Sequence, residues 1–370
     1  MNVLHVFNEI KYSGGELMYA SAAPIFTKND IKLFALNTSD NLGDFSPEFV
    51  KANISVHHYP MPRFLQILEV FKYANSLLNF IVLNKIEIIH IHRSNVKWFF
   101  SLIAWMSKTK CIYTVHNVFK NRILTWPKAY LERKIAVKLF GLKIQTIGQS
   151  VYENELQYYK TQSIKINNWY DKDRFFPRES TSEMQNMRRQ LNIPITNFVI
   201  VSTGGCSDIK NHSDILRALS ILGKVKRNIT YIHLGKGSTE CEEIKLSKQL
   251  NLENQILFLG NRVNVRDYII AADVYVMPSR FEGLGIAAIE AMACGIPVVL
   301  YNVPGLKDLI ANDDNGFLIS PDHISLSVCL ENLALHPNIG VQKAINAREF
   351  VSREFDMSTS VAKIIALYKN

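Results

Sequence analysis

Two glutamates, Glu282 and Glu290, stand seven residues apart in the stretch 279–299, SRFEGLGIAAIEAMACGIPVV. A carboxylate is an acceptor-only group, suited to holding the paired hydroxyls that a sugar presents. Gly283, Leu284 and Gly285 open a small-residue run between the two acids, and Gly295-Ile296-Pro297 closes it ahead of an apolar strand. Glycine lets a ligand approach the backbone closely. The free amides and positive end of a helix suit a phosphate. Read as eight residues of helix, the interval between the acids rises about 12 Å, roughly the span of a folded sugar–diphosphate–ribose. One carboxylate then takes sugar hydroxyls and the other the ribose hydroxyls. The plainer alternative is an amphipathic helix with two solvated glutamates.

A second phosphate cradle is offered by Gly14 and Gly15, where Ser13-Gly14-Gly15-Glu16 follows the first strand and precedes a helix. The full G-x-G-x-x-G dinucleotide fingerprint is absent there, which argues against an NAD enzyme. These residues need rigid elements behind them. Apolar strands at 3–7, 32–36, 55–59, 87–92, 110–115 and 143–147 alternate with helical patterns near 16–26, 63–84, 95–107 and 127–140. The rhythm restarts at 198–203 and continues through 230–234, 256–259, 274–277 and 297–301. Alternation of this kind predicts parallel sheets with helices on both faces. The polar, proline-bearing segment 168–197 reads as a linker, placing a boundary near residue 170. An α/β chain of two doubly wound, Rossmann-like domains is expected. Ligands bind at the carboxyl ends of such strands.

The string Pro278-Ser279-Arg280-Phe281-Glu282, then Glu290-Ala291-Met292-Ala293, resembles the signature of the retaining glycosyltransferases of family 4, which have the GT-B fold. The resemblance implies domains of 1–170 on the acceptor side and 171–355 on the nucleotide-sugar side, facing a central cleft. A C-terminal helix, 356–370, then crosses back to the first domain. It implies transfer of a sugar from a UDP- or GDP-sugar to a hydroxyl, with no cofactor and no metal. The acceptor it suggests is a lipid-linked saccharide of bacterial surface polysaccharide. Lys210, in VSTGGCSDIKNH (201–212), resembles the family lysine that reaches the donor diphosphate. Gly204 and Gly205 occupy the place where the family usually has Gly-Arg, which leaves one diphosphate contact to amides of the 204–206 turn or to a cation from elsewhere. His116, at a strand end in Thr114-Val115-His116-Asn117, matches a family histidine near the donor sugar, the alternative being a histidine satisfied by backbone. Lys210, Glu282 and His116 are thus the expected catalytic residues. Gly14, Gly15, Gly204, Gly205, Gly283, Leu284, Gly285 and Glu290 are expected to bind donor. The stretch Asn167-Asn168-Trp169-Tyr170-Asp171 resembles an interdomain element with Trp169 in place of glycine.

The composition agrees with a globular enzyme. The chain has 370 residues, 48% of them apolar, too long for one core and far from the disordered range. Five scattered cysteines without a C-x-x-C pair argue against disulfides and against a zinc site. His90 and His92 share a strand face, but no carboxylate or cysteine lies near them in sequence to complete a metal set. The opening MNVLHVFNEIKYSGGE lacks a signal-peptide pattern, so a cytoplasmic location is expected, peripheral on the inner face of the membrane. Residues 1–167 carry 20 lysines and arginines against 11 acids, while 168–370 carry 22 of each. The excess of nine positive charges therefore sits in the first half. Such asymmetry speaks of partners rather than fold. It suits an anionic membrane surface or a phosphorylated acceptor, densest at Lys120, Arg122, Lys128, Arg133, Lys134, Lys138 and Lys143. Two further readings are a GT-B nucleotide-sugar epimerase and a basic membrane- or nucleic-acid-binding module. The layout of basic residues fits no nucleic-acid motif. The apolar run 98–106 is expected to be a core helix.

Overall fold

Strands buried from end to end, with no polar face for solvent, belong in parallel sheets covered on both sides. The computed structural model describes residues 1–63, 65–118, 126–222 and 228–370 and contains two such sheets. They belong to two compact units: Met1–Trp169 with Met357–Asn370, and Tyr170–Asp356.

In the first unit, strands β1 (Asn2–Phe7), β2 (Lys32–Asn37), β3 (Ser55–His58), β4 (Ile88–Ile91), β5 (Lys110–Val115), β6 (Lys143–Thr146) and β7 (Ile164–Lys165) form a parallel sheet of order β3-β2-β1-β4-β5-β6-β7. Its helices are α1 (Gly14–Lys28), α2 (Ser46–Lys51), α3 (Ile67–Leu83), α4 (Lys97–Met106), α5 (Trp126–Lys138) and α6 (Gln149–Gln157). In the second unit, α7 (Thr181–Gln190), β8 (Phe198–Thr203), α8 (Ser213–Leu222), β9 (Ile229–Leu234), α9 (Glu240–Gln249), β10 (Ile256–Phe258), α10 (Val265–Ile270), β11 (Val274–Met277), α11 (Ile286–Ala293), β12 (Val298–Tyr301), β13 (Phe317–Ile319), α12 (His323–Leu335) and α13 (Asn338–Glu354) follow in order. The sheet order is β10-β9-β8-β11-β12-β13, again parallel. Each sheet reverses direction of winding once, between β1 and β4 and between β8 and β11. Loops leaving those strands diverge and open a crevice where ligands sit.

The last helix, α14 (Met357–Lys369), returns to the first unit and packs on α1. Tyr368 is fully buried there, and Lys110 Nζ donates to the carbonyls of Tyr368 and Lys369 at 3.2 and 3.0 Å, capping the helix end. Trp169, from the expected interdomain element, is buried in the first unit with its indole N–H donating to the Met18 carbonyl at 3.3 Å.

Helix α4 is largely core, burying Phe99, Phe100 and Ile103, while Trp98, Trp105 and Met106 stay exposed. One member of the basic run is not available to an anionic surface: Arg133 is buried in a two-pronged ion pair with Glu155 at 2.8 and 2.9 Å, because a guanidinium forms that fork where an ammonium does not. Lys120 and Arg122 lie outside the described residues.

Candidate functional site

The second unit assembles its site from the loops after β8 and β11. The β8 loop is shaped by glycine. Gly204 has φ +141°, and the space its missing Cβ leaves is taken by the Lys210 side chain, whose Cε lies 3.5 Å from that point. Gly235, after β9, has φ +144°, and a Cβ there would stand 2.0 Å from the Gly204 carbonyl oxygen. Only glycine fits such a contact. The Gly204 amide donates to the Leu234 carbonyl at 2.9 Å. This corrects one expectation, since that amide is spent on the neighbouring loop and Gly204 contributes space instead. The amides of Gly205 and Cys206 carry no hydrogen bond among the described residues.

The β11 loop is laced to the β8 loop by the Arg280 amide, which donates to the Ile209 carbonyl at 2.8 Å. Lys210 Nζ then meets Glu282 Oε1 at 2.7 Å, and Ser279 Oγ donates to the same oxygen at 2.7 Å. The Glu282 backbone is gripped from behind. Its amide donates to the Pro304 carbonyl at 3.0 Å, and a Cβ on Gly305 (φ +86°) would fall 2.3 Å from its carbonyl oxygen.

Glu282 and Glu290 are not joined by eight residues of helix. Glu282 lies in the loop, Gly285 is left-handed at φ +75°, and α11 starts at Ile286. A left-handed residue cannot continue a right-handed helix, so the 12 Å rise drawn from helical spacing does not apply. The break has a chemical consequence. The five successive amides from Gly283 to Ala287 carry no hydrogen bond among the described residues, an arrangement whose chemistry suits an anion.

Glu290 sits half-buried on α11. Burial pushes its carboxyl up to about 8, Arg174 drawing it back and Asp171 adding to the rise. Tyr275, on β11, is buried with its hydroxyl 3.0 Å from Thr203 Oγ1 at the end of β8. Burial raises that hydroxyl, and the charges of Glu290 and Glu282 both raise it further. The charges of both glutamates are thus felt at one buried hydroxyl beside the switch point.

The first unit brings Gly14, Gly15 and His116 together. Helix α1 starts at Gly14, and the Ser13 hydroxyl before it donates to the Glu16 carboxylate. The His116 ring comes within 4.0 Å of where a Gly15 Cβ would stand. His116 also ends a buried chain that sequence reasoning missed. Thr114 Oγ1 donates to Gln145 Oε1 at 3.0 Å and so accepts from His90 Nε2 at 2.6 Å. His90 Nδ1 then accepts from the Tyr368 hydroxyl at 2.6 Å, and that oxygen is 3.5 Å from His5 Nε2. His5 Nδ1 accepts from His92 Nε2 at 2.8 Å, and His92 Nδ1 accepts from His116 Nε2 at 2.9 Å. The His116 Nδ1 is left without a hydrogen bond among the described residues, an acceptor for a hydroxyl. Burial holds every ring neutral, with His116 lowered to about 4 and His5 to about 3. His90 and His92 are lowered well below the usual range by burial and by neighbouring histidines. Both nitrogens of His90 are engaged in hydrogen bonds, which makes it a link in this relay.

Comparison with known proteins matches residues 183–335 to the family model described as Glycosyl transferases group 1. The chain is 26% identical over 212 residues to the N-acetyl-alpha-D-glucosaminyl L-malate synthase of Bacillus anthracis, covering 55% of this chain and 52% of that protein. It thus spans about half the length of that relative. It is 24% identical over 331 residues to the UDP-Gal:alpha-D-GlcNAc-diphosphoundecaprenol alpha-1,3-galactosyltransferase of Escherichia coli, covering 85% of this chain and 84% of that one. Among solved structures it matches Anabaena HepE in complex with UDP at a TM-score of 0.86 and 20% identity, over 100% of both chains.

Proposed function

Because the chain belongs to the group 1 glycosyl transferases and has the GT-B fold, we propose that it moves a sugar from a nucleotide-diphosphate donor to an acceptor hydroxyl with retention at the anomeric carbon. The observation that carries this reading is the β8–β11 junction, where the paired Lys210 and Glu282 adjoin the unbonded amides of Gly283 to Ala287. A cation and a set of amides at a sheet's switch point suit a diphosphate; a carboxylate beside them suits sugar hydroxyls.

In the proposed reaction the bond from the anomeric carbon to the diphosphate breaks, and the acceptor oxygen bonds to that carbon on the same face. The acceptor proton passes to the departing phosphate, so no side chain acts as general base. Charge grows on the diphosphate, and fixed donors aimed at it lower the barrier. Lys210 and the amides of 205–206 and 283–287 take that role. Glu282 holds donor-sugar hydroxyls and Glu290 the ribose pair. To the first unit we assign acceptor selection through the Gly14-Gly15 turn, with His116 Nδ1 accepting from a sugar hydroxyl.

The donor we propose is a UDP-sugar, following HepE, which was solved with UDP and with UDP-glucose. The acceptor we propose is a lipid-linked saccharide of surface polysaccharide, following the E. coli relative, whose name carries diphosphoundecaprenol. No helix among the described residues is long and apolar enough to cross a membrane. The basic first half and the exposed Leu65, Ile67, Leu68 and Phe71 near the start of α3 support docking on a membrane surface. A mass-spectrometric screen of nucleotide sugars, with polyprenyl-diphosphate and free saccharides as acceptors, tests this. Transfer with release of UDP is the expected result. Donor consumption without acceptor points to an epimerase, and salt-sensitive RNA binding with no nucleotide effect on melting removes the transferase reading.

A further inference from the structure

Cys206, His212, His233 and Glu243 meet in the interior of the second unit, one ligand-type atom from each lying within 4.8 Å of all the others. They come from four places: the β8 loop, the residue before α8, β9 and α9. All four are buried, with exposures of 2%, 3%, 0% and 1%. We propose that they form a closed, structural zinc site that fastens the end of the β8 loop to β9 and α9.

The chemistry of the set fits that ion. A thiol, two imidazoles and a carboxylate are the donors that zinc takes in four-coordinate sites. Zinc with a thiolate and a carboxylate is a neutral unit, which solves the cost of burying Glu243. Cys206 Sγ is 3.2 Å from His233 Nε2, and His212 Nδ1 is 3.6 Å from Glu243 Oε1. Ligand edges of a tetrahedron built on ordinary zinc bond lengths are about 3.3–3.6 Å.

Hydrogen bonding leaves the set incomplete in the place a metal would fill. His212 Nδ1 and Glu243 Oε2 are both buried without a hydrogen-bond partner. Such orphans are rare in native proteins. The outer partners are present as well. His233 turns Nε2 inward and puts Nδ1 3.1 Å from Ser202 Oγ, while Thr239 Oγ1 donates to Glu243 Oε1 at 2.8 Å. Metal-bound histidines and carboxylates are oriented by contacts of this kind. The ion stands apart from the transfer chemistry: its ligand Cys206 ends the turn that Gly204 and Gly205 begin, so it sets the shape of that turn.

The test uses the full chain, purified without chelator or immobilised-metal columns. Elemental analysis should find one zinc per chain. Metal-free protein titrated with Co(II) should develop a thiolate-to-metal absorption band, absent in Cys206→Ser. In competition with a chromogenic chelator, Cys206→Ser and His212→Asn should lose more zinc affinity than the roughly 10–100-fold typical of losing an outer partner. Cys241→Ser removes an exposed thiol nearby and should bind zinc as the parent does. No zinc in the purified chain together with no Co(II) thiolate band overturns the proposal and leaves His212 Nδ1 only as a neighbour of Glu243 Oε1. Loss of binding in Cys241→Ser overturns it equally, as adventitious thiol capture.

Discussion

The Lys210 ammonium stands 2.7 Å from Glu282 Oε1, over the space left by the missing side chain of Gly204. Ser279 donates to the same carboxylate oxygen, which leaves Oε2 open to a sugar hydroxyl. The pairing fixes the ammonium before any anion arrives, and donors fixed in advance stabilise developing charge without reorganisation. Lys210→Ala should therefore lower kcat by roughly 10²–10³-fold, the usual effect of losing one such donor, with a smaller change in donor KM. Glu282→Ala should blur discrimination among donor sugars more than it slows turnover. Steady-state kinetics across a donor panel separates the two. A Lys210→Ala enzyme with parental kcat removes Lys210 from the mechanism.

Gly235 touches no substrate in this reading, yet it should be among the least replaceable residues. Alanine there meets the Gly204 carbonyl at 2.0 Å and must hold φ near +144°. The backbone strain alone costs about 1–3 kcal/mol, and the overlap adds to it or pushes the β8 loop aside. Gly141 is the matched control, with φ +68° and nothing within 4 Å of an added Cβ. Gly141→Ala should cost only about 1–2 kcal/mol of left-handed strain and leave UDP binding unchanged. Urea unfolding and UDP titration of both variants measure this; equal losses in the two would rule out the loop contact as the cause.

The sequence carried the fold well because fully buried strands announce themselves as unbroken apolar runs, and β8 and β11 were readable residue by residue. The edge strand β7 was not, being only two exposed residues that show no pattern. The glutamate spacing led to the right stretch but to the wrong local shape, since the spacing does not mark Gly285 as left-handed, and the Leu306 side chain that a Cβ there would meet at 2.7 Å is distant in sequence. The histidine relay and the Cys206 cluster were invisible for one common reason. His5, His92 and His116 come from three strands or strand ends, and Cys206, His212, His233 and Glu243 from four elements. No local motif encodes a set that only sheet register brings together.

The relay makes a prediction about acid. His5 and His116 are depressed to about 3 and about 4, against an ordinary value of 6.5. Below pH 6.5 the unfolded chain therefore takes up protons that the folded chain refuses. The stability they contribute is full above pH 6.5 and is lost as pH falls through 4 and 3. His92→Phe keeps the stack on Phe7 but strips partners from His116 Nε2 and His5 Nδ1. Each orphan costs about 1–3 kcal/mol, and a freed His116 should reduce kcat/KM. Melting temperature and kcat/KM from pH 4 to 8 check both; a variant as stable and active as the parent across that range removes the relay's role.

Glu290 gives the sharpest pH signature. Its carboxyl is raised to about 8 from an ordinary 4.5, so in the free protein most of it is protonated at neutrality. A ribose hydroxyl pair needs an acceptor, so nucleotide binds the ionised form and releases a proton. UDP affinity should rise from pH 6 to 8 and then level, and Glu290→Gln should bind weakly with no such rise. Stability runs the other way. Between pH 4.5 and 8 the folded chain holds a proton that the unfolded chain has lost, so the contribution is full below 4.5 and disappears as pH rises through 8. Glu290→Gln needs no proton, and its melting temperature should exceed the parent's by a margin that widens from pH 5 to 8. Calorimetric UDP titrations in buffers of different ionisation enthalpy read the released proton directly. Parallel melting curves for the two proteins, with no proton released on binding, would mean that Glu290 is already ionised and faces solvent rather than a ribose.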